Sequence, residues 1–291
     1  MEMEGDSTAM RSSRSGNHAE AVRRTIRHMR VRLDHKVDLD ELAAVACMSP
    51  CHYLRVFRGL TGIPPARFLG ILRLELAKDL LIRTDLAVFD IALDVGYTSL
   101  GTFTSRFAQL VGMSPARFRE TYISMMSGAA MPAQVPPAPV ARGSGATYVG
   151  QIDHDEGDIN LFAGVFGSPI PQEAPLACTI LAGSRHFSLP VPEGIGPFYI
   201  LAVALKHVQP GEAFDNRALI AGVAACGPLR PTDTSIPLQL HLRPVDLLDP
   251  PILVAFPLLM NLRMAALPAT AMEAAAPRHP APLSSPESVR S

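Results

Sequence analysis

The hexamer Ile63-Pro64-Pro65-Ala66-Arg67-Phe68 recurs fifty residues later as Met113-Ser114-Pro115-Ala116-Arg117-Phe118. At the same offset Gly62 matches Gly112, Leu60 matches Leu110, Phe57 matches Phe107, Tyr53 matches Phe103 and Ser49 matches Ser99. A repeat at fixed period marks one supersecondary unit carried twice. The repeated apolar residues fall three and four positions apart, which is helical spacing. The chain must therefore build two copies of one small helical unit in tandem.

A length of 291 residues suggests two domains, and 48% apolar content can fill their cores. The net charge of −1 hides an asymmetry. Residues 17–125 hold 15 Lys and Arg against 11 Asp and Glu, net +4, whereas residues 126–291 hold 9 against 13, net −4. A basic surface thus belongs to the helical part. Cys47, Cys51, Cys178 and Cys226 form neither a disulfide framework nor a paired metal motif. Reduced thiols in a cytoplasmic protein are the expectation. The polar start shows no signal peptide, and no apolar run is long enough for a helix to span a bilayer.

Residues 1–17 are rich in Ser, Arg and Gly and are expected to be disordered. A helical domain follows over residues 18–124. Its first helix runs from His18 to about Leu33 on Val22, Ile26, Met29 and Leu33. Asp38 or Asp40 caps a short helix ending near Ala46. Ser49 can cap the next, with Pro50 in its first turn and Gly62 as its stop. A long helix from Pro64 to Ile82 carries the stripe Leu69, Leu72, Leu76, Leu80. The second unit comprises Val88–Val95, a turn at Gly96-Tyr97-Thr98, a helix from Ser99 to Val111, and a last helix ending by Tyr122.

Residues 125–146 read as a Pro-, Ala- and Gly-rich linker. Beyond it, short apolar runs at 147–153, 159–166, 176–181, 185–191, 197–205, 217–224, 236–242 and 252–256 predict a β-sandwich over residues 147–267. Residues 268–291 form an Ala-, Pro- and Ser-rich tail, expected to be disordered. The fold class is multidomain α and β: an N-terminal all-α double helix-turn-helix domain and a C-terminal all-β sandwich-like domain.

A helix-turn-helix sets its second helix in the major groove, its inner face on the first helix and its outer face on bases. The repeat keeps the inner positions and changes the outer ones. Cys51, His52, Leu54, Arg55 and Arg58 correspond to Gly101, Thr102, Thr104, Ser105 and Ala108. Two readers with one scaffold and different outer faces predict an asymmetric DNA site. Arg55 suits a bidentate guanine contact. Leu54, Thr102 and Thr104 suit thymine methyls or backbone, and Arg58 and Arg106 suit phosphates.

These residues carry a family resemblance. The stretch Leu42 to Pro50 with Phe57-Arg58-Gly59-Leu60-Thr61-Gly62 resembles the first helix-turn-helix of AraC/XylS-type regulators. Asp90-Ile91-Ala92-Leu93-Asp94-Val95-Gly96-Tyr97, with Phe103-Thr104-Ser105-Arg106-Phe107 and Gly112-Met113-Ser114-Pro115, resembles its second. The resemblance covers residues 18–122. It implies seven helices, two helix-turn-helix units joined by a long helix, and transcription regulation. Two departures stand out. Ser105 occupies a place where many relatives carry a long polar or basic side chain, and the domain is N-terminal where the family usually has it C-terminal.

The expected function is a sequence-specific DNA-binding transcription regulator, an activator by family habit, with a C-terminal effector-binding or oligomerisation domain. Beyond double-stranded DNA, the compatible partners are RNA polymerase, a small-molecule effector and a second copy of the chain, with no membrane partner. The alternative is an enzyme or DNA-repair protein tethered by its helical domain. No catalytic set, cofactor motif or metal motif supports it: Cys47 and Cys51 lack paired ligands, and the acidic stretch Asp153 to Asp158 lacks the length of an EF-hand.

Overall fold

The computed structural model describes residues 3–126, 146–153, 160–170, 175–182, 184–191, 194–205, 220–231 and 237–253. Residues 127–145 of the linker expected over 125–146, most of the acidic turn, and the tail fall outside them.

Seven helices come first: α1 (Met3–Arg30), α2 (Leu39–Val45), α3 (Pro50–Thr61), α4 (Pro65–Arg83), α5 (Val88–Asp94), α6 (Leu100–Val111) and α7 (Pro115–Met126). The start of α1 differs from expectation. Residues 3–17 continue the helix instead of forming a disordered lead, and no proline interrupts Met3–Arg30. The helix stops at Arg30, short of Leu33, with Arg27, His28 and Arg30 in its last turn, where the dipole favours cations. Val22, Ile26 and Met29 are fully buried, as their spacing requires.

Asp38 caps α2 by accepting from the Glu41 amide at 2.9 Å. Ser49 sits at the N-cap of α3 but makes no capping bond from its side chain, whereas Ser99 accepts from the Thr102 amide at 3.4 Å. The backbones differ, with φ −68° at Ser49 and −144° at Ser99, so the two hydroxyls leave in different directions. Gly62 and Gly112 close α3 and α6 in the left-handed region, at φ 78° and 92°, where a side chain would be strained.

The expected stripe on α4 is too narrow. Leu69 and Leu72 are buried, Leu76 and Leu80 only half-buried, and Leu74, Ala77 and Leu81 are buried as well. A helix buried almost all round is a central strut, here packed by both units. The last helix, α7, runs four residues past the expected end at Tyr122.

Among the described residues the C-terminal part has seven strands: β1 (Thr147–Asp153), β2 (Asn160–Phe166), β3 (Ala177–Ala182), β4 (His186–Pro190), β5 (Phe198–Leu205), β6 (Ile220–Leu229) and β7 (Leu238–His241). They form two sheets, β4-β1-β7 and β3-β2-β5-β6. Pairing is antiparallel except between β1 and β7. Tyr148, Ile152, Phe187, Leu189 and Leu240 of the first sheet meet Leu161, Val165, Phe198 and Ile200 of the second in one core. Strand β2 alternates. Leu161, Ala163 and Val165 face that core, while Phe162 and Phe166 form a second cluster with Leu201, Cys178 and Ile252 on the outer face. The four-stranded sheet is thus covered on both faces, which explains why β2 and β5 read as unbroken apolar runs.

Of the eighth expected strand, 252–256, only the first two residues are described. Ile252 and Leu253 are irregular, and residues beyond them are outside the described set. Residues 243–253 instead form a strap. It leaves β6 through a two-way backbone pairing of Arg243 with Val223, at 2.9 and 3.1 Å. It then crosses to the helices, where Leu253 is fully buried in their core, as is Ile170 from the segment after β2. Among the described residues no helix is long and apolar enough to cross a membrane.

Candidate nucleic-acid interface

The sequence repeat is also a repeat of contacts. Tyr53 and Phe57 on α3 have ring centroids 5.5 Å apart, and Phe103 and Phe107 on α6 are 5.7 Å apart. Phe57 meets Phe68 of α4 edge-on at 5.5 Å, and Phe107 meets Phe118 of α7 edge-on at 5.8 Å. These six rings are all buried, and they fix the inner faces of α3 and α6. In each unit the helix that begins with the Pro-Ala-Arg-Phe segment is the wall on which the second helix leans.

The turns obey a different offset. Met48 donates its amide to the Ala43 carbonyl, and Tyr97 donates to Ala92, both at 2.9 Å. These partners lie forty-nine residues apart, so the second unit holds one extra residue, Thr98, before its second helix. The left-handed position of the turn is Cys47 in one unit, at φ 56°, and Gly96 in the other, at φ 83°. Glycine is needed at the second for space too. A Cβ on Gly96 would run into the Leu33 carbonyl oxygen and lie 2.9 Å from an Arg73 nitrogen. Arg73 donates to the carbonyls of Leu33 and His35, each at 2.8 Å. The turn of the second unit is thereby seated on the strut and on the chain leaving α1. Desolvation lowers the Arg73 pKa, and burial raises that of the neighbouring Tyr97 hydroxyl, against Arg73 and Arg106.

The ten residues expected to face DNA all lie outside the core. On α3, Cys51, Arg55 and Arg58 are exposed, and His52 and Leu54 are half-buried. On α6, Gly101, Thr102, Ser105 and Arg106 are exposed, and Thr104 is half-buried. Neither Arg55 nor Arg58 has an ion pair among the described residues. Three further residues frame the start of α3. His18 stacks edge-on with His52 at 5.3 Å, and Asn17 and Arg24 line the same open cavity of about 600 Å³, together with Cys47 and Ser49. The sequence signal for Arg24 was its position off the Val22–Ile26 face of α1.

Two helices with buried aromatic inner faces and polar outer faces, each preceded by a short helix and a tight turn, define a tandem helix-turn-helix protein. Residues 42–121 match the family described as a helix-turn-helix domain, and this segment is of the AraC type. The bifunctional transcriptional activator/DNA repair enzyme AdaA of Bacillus subtilis is 36% identical over 85 residues, 29% of this chain and 40% of that protein. The RCS-specific transcriptional activator RclR of Escherichia coli is 35% identical over 86 residues, 30% of each chain. A solved AraC-type transcriptional regulator from Chromobacterium violaceum shares 22% identity over 35% of this chain and 92% of its own, at a TM-score of 0.35. The chain thus spans less than half the length of either curated relative.

Proposed function

We propose that the chain is a sequence-specific DNA-binding transcription regulator in which α3 and α6 read successive major-groove segments of an asymmetric site. The observation that carries this is the pairing of one conserved inner scaffold with two different outer faces, both facing solvent. Arg55 on α3 is the principal base reader, through a bidentate contact to guanine. Arg58, Arg106 and Arg24 hold phosphates and set the register. Gly101, Thr102, Thr104 and Ser105 give the second helix a smooth, uncharged tip, so it reads shape and methyl groups more than hydrogen-bonding edges. Cys51, His52 and Leu54 complete the first reading face. The β-sandwich, seated on the helical core through Leu253 and Ile170, conveys an effector or pairs subunits.

A repair activity that moved an alkyl group onto a cysteine would need a thiolate acceptor. Burial pushes the Cys178 thiol up to about 11 and raises Cys226 also, the reverse of activation. Cys178 and Cys226 are therefore poor candidates for such an acceptor, whereas the exposed thiols, Cys47 and Cys51, lie on the helical part.

The test is a selection of bound duplexes from a random pool by the full-length protein, followed by fluorescence anisotropy. An asymmetric consensus with its strongest guanine preference lost in Arg55→Ala is the expected result. A symmetric consensus, or no enrichment, overturns the reading.

A further inference from the structure

Residues 243–253 touch the sandwich and both helix-turn-helix units. At the sandwich, Arg243 pairs with Val223 of β6, and Ile252 packs on Phe162, Phe166 and Leu201. At the first unit, Arg23 of α1 donates through Nε and Nη2 to the two Asp246 oxygens, at 3.2 and 2.8 Å. At the second unit, Leu253 is fully buried, and Lys78, over the Phe118 ring of α7, donates to the carbonyls of Ile252 and Leu253.

The strap between these anchors is stiff. Pro244, Pro250 and Pro251 fix its backbone along the way. Asp249 accepts from the Arg243 guanidinium at 2.6 Å and from the Asp246 amide at 2.7 Å, and Asp246 accepts from the Leu248 amide at 2.9 Å. A stiff link carries a displacement from one end to the other. Asp246 stands three residues after Arg243, so a shift of β6 is passed straight to the Arg23 contact. Beneath the strap, a cavity of about 250 Å³ bordered by Glu75 of α4 and Val223 leaves room for such a shift, which a close-packed interior would resist.

The two helical anchors are unequal. That at Leu253 is buried in the core, whereas the Arg23 and Asp246 side chains are 29% and 38% exposed. Water competes for the second anchor, so it opens first. We infer that the strap is a brace between the two units, with Arg23–Asp246 as its catch. Closed, the catch holds α1 in one orientation to the second unit, and α3 with it, because the buried Tyr53 hydroxyl bonds Thr25 of α1 at 3.0 Å. Opened, it leaves that orientation to the packing around α4 alone, and the spacing between the two reading helices loosens. The inference deepens the regulator reading by giving its DNA site a control from the sandwich, and rests on that reading only for what the loosening does on DNA.

The test uses the full-length protein. Nitroxide labels at Arg55→Cys and Ser105→Cys, with the native cysteines replaced (Cys47→Ser, Cys51→Ser, Cys178→Ala and Cys226→Ala), report the separation of α3 and α6 without DNA. Pulsed dipolar spectroscopy should give one narrow distance in this background and a broader distribution once Asp246→Ala is added. With the native cysteines in place and no labels, anisotropy compares the selected duplex with versions carrying one base pair more or less between the half-sites, a rotation of about 35°. Asp246→Ala and Arg23→Ala should each reduce the affinity penalty for altered spacing by roughly two- to fivefold, the weight of an exposed ion pair. The double variant should do no more than either alone. An unchanged distance distribution in Asp246→Ala overturns the brace whether or not duplex binds. So does an unchanged spacing penalty in a protein that binds duplex, or an Arg23→Ala effect undiminished in the Asp246→Ala background. A broadened distribution in a protein that binds no duplex keeps the brace and removes the regulator reading alone.

Discussion

The two helix-turn-helix units share their interior and differ in their turns, their outer faces and their attachments. Rings at matching positions pack at nearly matching distances, yet one turn carries a cysteine where the other carries a glycine, and one recognition helix bears arginines where the other bears small residues. Packing constrains what the copies keep, because an interior tolerates little change in volume. Solvent-facing positions are free to diverge toward separate tasks. The attachments diverge as well. The strap meets the first unit through the half-exposed Arg23–Asp246 pair. It meets the second beside Phe118, where the buried Lys78 donates to the carbonyls of Ile252 and Leu253 at 3.3 and 3.4 Å and lies 5.9 Å from the Phe118 ring.

The strongest challenge to this comparison is to remove its shared part. Phe57→Ala and Phe107→Ala should each cost about 3–5 kcal/mol in urea unfolding. Costs differing by more than half would show that the two interiors are not equivalent. Next, Gly96→Ala should cost about 3 kcal/mol, combining left-handed strain with the collision at Leu33. A loss below the cost of strain alone would mean that the Arg73 junction yields readily.

The strap's two anchors can be separated by pH. Desolvation lowers the Lys78 pKa to about 8 from 10.5 in the unfolded chain, with Glu75 and Asp79 opposing. Between those values the unfolded chain binds more protons, so the wild type should gain stability relative to Lys78→Met as pH rises from about 8 to 10.5. The gain should be of order 3 kcal/mol across the window, read from paired urea melts. A flat difference would place the ammonium in water. Arg23→Ala should cost under ~1 kcal/mol, as exposed pairs do.

On DNA, Arg55→Ala should lose roughly 1–3 kcal/mol of discrimination at one base pair, whereas Ser105→Ala should leave every site within experimental error. A larger effect at Ser105 would invert the proposed division of labour. The smallest effect is expected at the other turn. Cys47→Gly should stabilise the first unit by about 0.5–1 kcal/mol, since relief of left-handed strain exceeds the entropy glycine adds to the unfolded chain.

Much of the helical fold was legible because its punctuation is local. Asp38, Pro50, Gly62, Pro65 and Gly112 each act within one turn, and the structure places helix boundaries next to all of them. Strand positions were legible from apolar runs between turn residues. The register of those strands was not, since pairing β1 parallel to β7 depends on contacts between distant segments. The first two residues of the run expected at 252–256 are irregular for a related reason. Ile252 and Leu253 have strand composition, but their burial is supplied by another part of the molecule. The outward positions of α3 and α6 followed from periodicity, whereas the nearness of Asn17, His18 and Arg24 to the start of α3 is a tertiary fact that no local pattern reports. The wide burial of α4 was missed because a repeat reports what two units share and not the surface between them.

The burial of Leu253 inside the helical core also orders the events of synthesis. All seven helices have left the ribosome soon after Met126, but their core lacks its last apolar plug until 127 residues later. At ~5–20 residues per second, that is an interval of roughly 6–25 s. During it the helices are present and their interior is still open at Lys78. Translation that stops before Leu253 would therefore release the helical part without its final wedge.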